Sequence, residues 1–261
     1  DKKFIIWVGE EDHLRIMCMY KGTVLNGVFD RLKSALDVVS GIDGLSFVVS
    51  EKYGAVTSCP TNIGSGMRAS VHVPLPNLTK DGTDKTAKAI AKPLGLSVRG
   101  TGGEDTPIGA DGTCDISPSA RFCITEAEII TALYNGLKLL KAKEDEAGSG
   151  GGGSASAPVA EVSGEGGKHA AVLALIEAHK ARPEGTNLAM VNFDKAYFDT
   201  LDGAQQDGLV QCLQSGIDNP GCSIGCYAIQ TSDYDTFNPL FSKVLSQYHK
   251  VSEDATHVNN W

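Results

Sequence analysis

From Ala147 the chain runs Ala-Gly-Ser-Gly-Gly-Gly-Gly-Ser and continues through small residues to Gly166-Gly167. Such a stretch carries too little apolar surface to offset the entropy lost on ordering it, and it behaves as flexible coil. No regular element can cross it, so the chain must fold as two pieces, residues 1–146 and 168–261, joined by a linker at 147–167. This composition fits both an engineered joint and a natural spacer between fused domains. The irregular run from Ala157 to Glu165 favours the spacer over a designed repeat.

The two pieces carry different periodicities. In the first, short apolar runs at Phe4–Val8, Leu14–Met19, Leu45–Val49 and Ala69–Val73 are bounded by Gly, Pro or charge and predict strands. A stripe of Leu25, Val28, Leu32, Ala35 and Val39 predicts a helix from about Val24 to Val39. Thr125 and Glu128, in capping-box spacing, open another over Glu126–Lys143. Short turn-linked strands with helices between them predict an α+β fold, an antiparallel sheet flanked by helices. In the second piece, Ala170–His179, Lys195–Leu201, Gly208–Ser215 and Pro239–Gln247 carry helical spacing and almost nothing alternates with period two, which predicts a small all-α domain. No repeat relates the pieces.

Charge and cysteine usage narrow the partners. A formal charge of −9 argues against a nucleic-acid binder, whose affinity rests on clustered Lys and Arg. No apolar run reaches the roughly 20 residues that span a bilayer, and no secretion signal opens the chain. The expectation is a soluble, cytoplasmic protein without membrane partners. Seven cysteines, an odd number without a C-x-x-C pair, read as reduced thiols. Cys222 and Cys226 lack nearby histidine ligands, so no resident metal site is expected.

Three segments concentrate chemistry. Gly9-Glu-Glu-Asp-His-Leu-Arg15 crowds three carboxylates and an arginine at a strand end; alone, it reads as a solvated turn. Cys59-Pro-Thr-Asn-Ile-Gly-Ser-Gly-Met-Arg68 joins a cysteine to a polar, glycine-bearing loop that delivers an arginine, a composition able to offer backbone N–H groups to an anion or simply to turn the chain. Arg99-Gly-Thr-Gly-Gly-Glu-Asp-Thr106 sets an arginine and carboxylates around glycines that permit loop motion. Neither the dinucleotide fingerprint nor the G-x-x-x-x-G-K-[ST] phosphate loop occurs.

In this order and spacing, together with Arg68-Ala-Ser-Val-His72 and Asp115-Ile-Ser117, the segments resemble the phosphagen kinases (ATP:guanidino phosphotransferases), with arginine-kinase character, over Phe4 to about Lys143. The resemblance implies reversible phosphoryl transfer between MgATP and a guanidino compound, arginine favoured, with Mg²⁺ arriving on the nucleotide. It implies that Arg15, Arg68 and Arg99 hold phosphates and that His72 and Asp115 lie in the nucleotide site. Glu11 and Glu104 match the carboxylates that grip the guanidinium, and Cys59 matches the thiol beside it, with a pKa expected to be lowered by positive charge. Gly9 stands where the family usually has Asn. The loop is a hybrid: Gly102, Gly103 and Asp105 look like creatine kinase, and Glu104 like arginine kinase.

Residues 169 to 250 are similar to the family's small amino-terminal helical domain, through Cys212-Leu-Gln-Ser-Gly-Ile-Asp-Asn219 and Gly225-Cys-Tyr-Ala228. There Ser223, Ile224, Gly225 and Tyr227 match the short loop that receives the substrate's carboxylate end; an isolated tyrosine otherwise reads as core. The family's Ser-x-Arg-x-Arg strand, with two further phosphate-binding arginines, is not found in this sequence. The chain therefore reads as the end of one kinase unit, a linker and the beginning of the next. A slice through a tandem-fused kinase and a circular permutant lacking the middle stretch both give this order, and an adjacent fused unit or a second copy is expected to supply that stretch. The alternative is a catalytically incomplete unit that serves as a structural or interaction module.

Overall fold

The computed structural model describes residues 3–22, 25–103, 106–148 and 169–258. Strands β1 (Phe4–Val8) and β2 (Leu14–Cys18) form an antiparallel hairpin in which Phe4 faces Cys18 and Val8 faces Leu14. Helix α1 (Leu25–Ser40) packs on β2, and the two-residue strands β3 (Val49–Ser50) and β4 (Gly54–Ala55) make a second hairpin. Next come β5 (Val71–Pro74), α2 (Lys85–Ala91), a 3₁₀ turn at Lys92–Leu94, β6 (Leu96–Arg99), β7 (Thr113–Pro118) and α3 (Glu126–Ala147). Strands β5, β7 and β6 form a three-stranded sheet in that order. Among the described residues every strand ladder is antiparallel, as expected, but three small sheets stand where one was anticipated.

The local reasons are visible in each element. Thr125 caps α3 by accepting from the Glu128 N–H while the Glu128 carboxylate accepts from the Thr125 N–H, the anticipated capping box. Its inner face buries Leu133 and Leu140 together with Leu96, Val98 and Ile116 of the sheet. Most of Leu45–Val49 is irregular and only Val49 enters a strand, because Phe47, Val48 and Val49 are exposed and no long partner strand lies beside them. Strand β7 escapes an apolar-run reading because it spells Thr-Cys-Asp-Ile-Ser-Pro, yet it is the central and most buried strand of its sheet.

After the linker come α4 (Ala170–Lys180), α5 (Leu188–Asn192), α6 (Lys195–Thr200), α7 (Gly203–Asp218), α8 (Asp233–Thr236) and α9 (Asn238–His249), with no strand among the described residues. Asp202 and Gln205 form a second capping box, on α7. Helix amphipathicity alone does not predict where these helices bury their apolar faces. Tyr53, Ile63 and Phe122 from the first piece share one core with Ile176, Met190, Leu213, Tyr234 and Phe241 from the second. No described helix is long and apolar enough to cross a membrane.

Candidate active site

The β1–β2 turn bends where Gly9 takes φ +71° and its N–H bonds to the His13 carbonyl at 3.0 Å, which lifts Glu10, Glu11 and Asp12 onto the tip. Three adjacent carboxylates repel unless bridged, and two bridges are present. Arg15 Nη2 lies 2.8 Å from both Glu10 Oε2 and Glu11 Oε1. The Asn62 amide donates at 3.0 Å to Glu11 Oε1 and at 3.0 Å to Asp12 Oδ2. Both acceptors are carboxylate oxygens, so it is the NH₂ end of Asn62 that faces them. Asp12 Oδ1 also accepts from the Ser58 N–H at 2.6 Å, which docks the cysteine loop onto the hairpin tip.

Cys59 is 3% exposed, with its Sγ 3.0 Å from Thr61 Oγ1. Burial, and then the negative charge of Glu11, push its thiol up to about 11, with Thr61 hydrogen bonds offsetting a part. The expected lowering by positive charge is not met in this ligand-free arrangement, since the charges nearest the sulfur are carboxylates.

The residues expected to border a nucleotide gather at the three-stranded sheet. Asp115 on β7 lies opposite His72 on β5 and Arg99 on β6. Its buried carboxylate binds the Arg68 guanidinium, and His72 Nε2 stands 3.8 Å from Oδ1. Arg15 and Arg68, both expected to hold phosphates, are thus engaged by the chain's own carboxylates.

Sequence reasoning missed the residue that ties these groups together. Arg121 is 2% exposed and donates from Nη1 to the Thr61 carbonyl at 2.6 Å. Burial lowers its pKa against the pull of Tyr248, and the charges of Arg68 and Arg99 lower it further, so it lies within electrostatic reach of both arginines while holding the cysteine loop. Close packing holds this junction together. Gly64 has φ +102°, and a Cβ there would strike the Arg121 carbonyl and Phe122. Ser58 and Asn62 were missed as well; each lies inside a quoted motif or beside it, but their partners are remote in sequence.

The loop at Ser223–Tyr227 is anchored from behind. The Ser223 and Ile224 carbonyls accept from the Leu188 and Ala189 N–H groups at 3.2 and 2.9 Å, and the Tyr227 N–H donates to the Cys212 carbonyl at 2.9 Å. Gly225 takes φ +80° against the Asn187 side chain, where no Cβ fits. The Ala228 N–H donates to the Ser58 carbonyl at 2.8 Å, so this loop meets the cysteine loop across the two pieces. Cys226 in this loop is fully buried, and burial raises its thiol well above the ordinary value. Glu11, Arg15, Cys59 and the Ser223–Tyr227 loop therefore come together, and Arg68, His72, Arg99 and Asp115 form an adjoining group. Glu104 and Asp105 lie outside the described residues. Before them, a turn closes with the Gly103 N–H on the Gly100 carbonyl at 3.1 Å.

Comparison with known proteins bears on the whole arrangement. Residues 1–147 match the family described as ATP:guanido phosphotransferase, C-terminal catalytic domain, and residues 195–246 match its N-terminal domain. An arginine kinase of Anthopleura japonica is 35% identical over 254 residues, covering 95% of this chain and 32% of the relative. A flagellar creatine kinase of Strongylocentrotus purpuratus is 31% identical over 286 residues, covering 100% of this chain and 22% of the relative. The solved structure of a lombricine kinase matches with a TM-score of 0.49 and 37% identity, over 57% of this chain and 40% of that one. The chain spans about a third of the length, or less, of the relatives that align through both its pieces. With a family match through more than half its residues, the chain belongs to the ATP:guanido phosphotransferase family, its catalytic-domain piece preceding its N-terminal-domain piece.

Proposed function

We propose that the protein to which this chain belongs transfers a phosphoryl group reversibly between MgATP and a guanidino compound, with arginine the favoured acceptor. The observation that carries the reading is the meeting of Glu11, Cys59 and the Ser223–Tyr227 loop. Residues more than 160 positions apart are linked there through the Ser58–Ala228 contact at 2.8 Å. Phosphoryl transfer asks a protein mainly for positioning and charge neutralisation. In this reading Arg15, Arg68 and Arg99 exchange carboxylate neighbours for phosphate oxygens, while His72 and Asp115 border the nucleotide. Mg²⁺ comes with ATP as part of the substrate. Glu11, released from Arg15, and Glu104 align the guanidine nitrogen with the γ-phosphorus, and Glu11 accepts its proton. Ser223, Ile224, Gly225 and Tyr227 receive the carboxylate end.

Single alignments run through both pieces in the relatives from Anthopleura and Strongylocentrotus, which supports reading this order as a junction between fused kinase units. In that arrangement a neighbouring unit or a second copy supplies the additional phosphate-binding arginines. A cytoplasmic setting accords with the seven free thiols. The test is ATP formation by the full-length protein from MgADP and phosphoarginine, run beside phosphocreatine and other phosphoguanidines. Phosphoarginine is expected to be turned over fastest. Faster transfer from another phosphoguanidine reassigns the acceptor, and no transfer from any of them overturns the function.

A further inference from the structure

Ser58 uses all three of its polar groups, each on a partner distant in sequence. Its N–H donates to Asp12 Oδ1 at 2.6 Å, its hydroxyl donates to the Ala228 carbonyl at 2.8 Å, and its own carbonyl accepts from the Ala228 N–H at 2.8 Å. The last two bonds close a ring between Ser58 and Ala228, and the Ser58 hydroxyl is its only side-chain member. On one side of the ring stands Cys59, and on the other Tyr227. Through Asp12 and Asn62 the same residue is connected to Glu11.

We propose that Ser58 is a positioning residue that sets the separation between the loop at Ser223–Tyr227 and the Glu11 carboxylate, and thereby the length of guanidino acid that fits between them. The inference rests on the phosphotransfer reading above and extends it to acceptor selection. A guanidino acid is held at both ends, the guanidinium beside Glu11 and Cys59 and the carboxylate at the loop, so the spacing of these sites acts as a ruler. The Ser58 hydroxyl is a half-buried link in that spacing, and the hydrogen bonds of Ser58 go to Asp12 and Ala228 rather than to the Arg68, His72 and Asp115 group. Loosening it should weaken the hold on the guanidino acid without touching the nucleotide.

The experiment measures KM for arginine and for MgATP, and the preference for arginine over the shorter guanidinoacetate, in the full-length protein and its Ser58→Ala and Ser58→Thr variants. The rate surviving Glu11→Gln is subtracted as background from any other kinase unit of the polypeptide. Ser58→Ala is expected to raise the arginine KM about fivefold, the order set by one lost hydrogen bond. The MgATP KM should stay within about twofold, and the preference for arginine should narrow. Ser58→Thr, which keeps the hydroxyl, should restore all three. An unchanged arginine KM in Ser58→Ala overturns the proposal, and so does a parallel rise in both KM values, the sign of a merely structural residue. A wild-type protein that transfers nothing to any guanidino compound overturns the functional reading first, and this inference with it.

Discussion

At the scale of single residues, the structure reverses one expectation of reactivity. Cys59 sits in a reactive-thiol motif, yet burial and the neighbouring Glu11 push its thiol up to about 11. Two units above the ordinary thiol value leaves on the order of 100-fold less thiolate at neutral pH, and the thiolate is the nucleophile. Limiting iodoacetamide on the ligand-free protein should therefore label the half-buried Cys18, Cys123 or Cys222 ahead of Cys59. Peptide mapping that found Cys59 labelled first would show that the loop opens to solvent in solution. Motif reading singles out Glu11, Arg15 and Cys59 because their chemistry is local and spelled out in consecutive residues. It could not find Ser58 or Arg121. Ser58 bonds to residues 46 and 170 positions away, and Arg121 holds a carbonyl 60 positions away, so no window of sequence contains either interaction.

At the scale of elements, long periodic helices were legible and short polar strands were not. Helix α3 shows both sides of this. Its capping box and apolar stripe predict it from sequence, but Glu144 near its end would be read as one more exposed charge, and it is 6% exposed. The Glu144 carboxylate accepts from the Asn77 N–H at 2.8 Å and from the Leu78 N–H at 2.9 Å, closing the turn after β5 against the helix. Glu144→Ala leaves one buried and one part-buried backbone donor unpaired and should cost about 2 to 3 kcal/mol of stability. Glu144→Gln, which keeps one acceptor oxygen, should cost less. Urea unfolding of the full chain checks both, and a loss below about 0.5 kcal/mol for the alanine variant would mean that water satisfies these donors. The same accounting explains β7: its Asp115 and Ser117 look like loop residues in sequence, and its pairing on both edges makes it the sheet's centre.

At the scale of the whole molecule, the linker composition predicts two pieces but not the core they share, because that core depends on side chains at opposite ends of the chain. Two histidines from the second piece hold the segment between β7 and α3. His249 Nδ1 accepts from the Arg121 and Phe122 N–H groups at 3.1 and 3.4 Å, and its Nε2 donates to the Pro60 carbonyl at 2.9 Å. The carbonyl can only accept, which fixes the neutral tautomer. His257 Nδ1 accepts from the Cys123 N–H at 3.0 Å and its ring stacks on Phe122. A proton on either Nδ1 would set N–H against N–H. Burial, the Arg121 charge and His257 together outweigh the Pro60 bond and lower the His249 pKa from 6.5 to about 4. Burial lowers that of His257 as well, against the pull of Glu126. The folded form therefore resists protonation that the unfolded chain accepts. Stability from these groups is complete above about pH 6.5 and is lost as pH falls towards 4, with His249 contributing up to about 3 kcal/mol. Carboxylates titrate near the lower end of that window, so the variant His249→Gln separates the causes. It should be less stable than wild type at pH 7.5 and should lose less stability between pH 6.5 and 4.5. Urea melts across that range supply the measurement. A pH slope identical in wild type and variant would place the acid sensitivity elsewhere and remove His249 as the neutral latch between the two pieces.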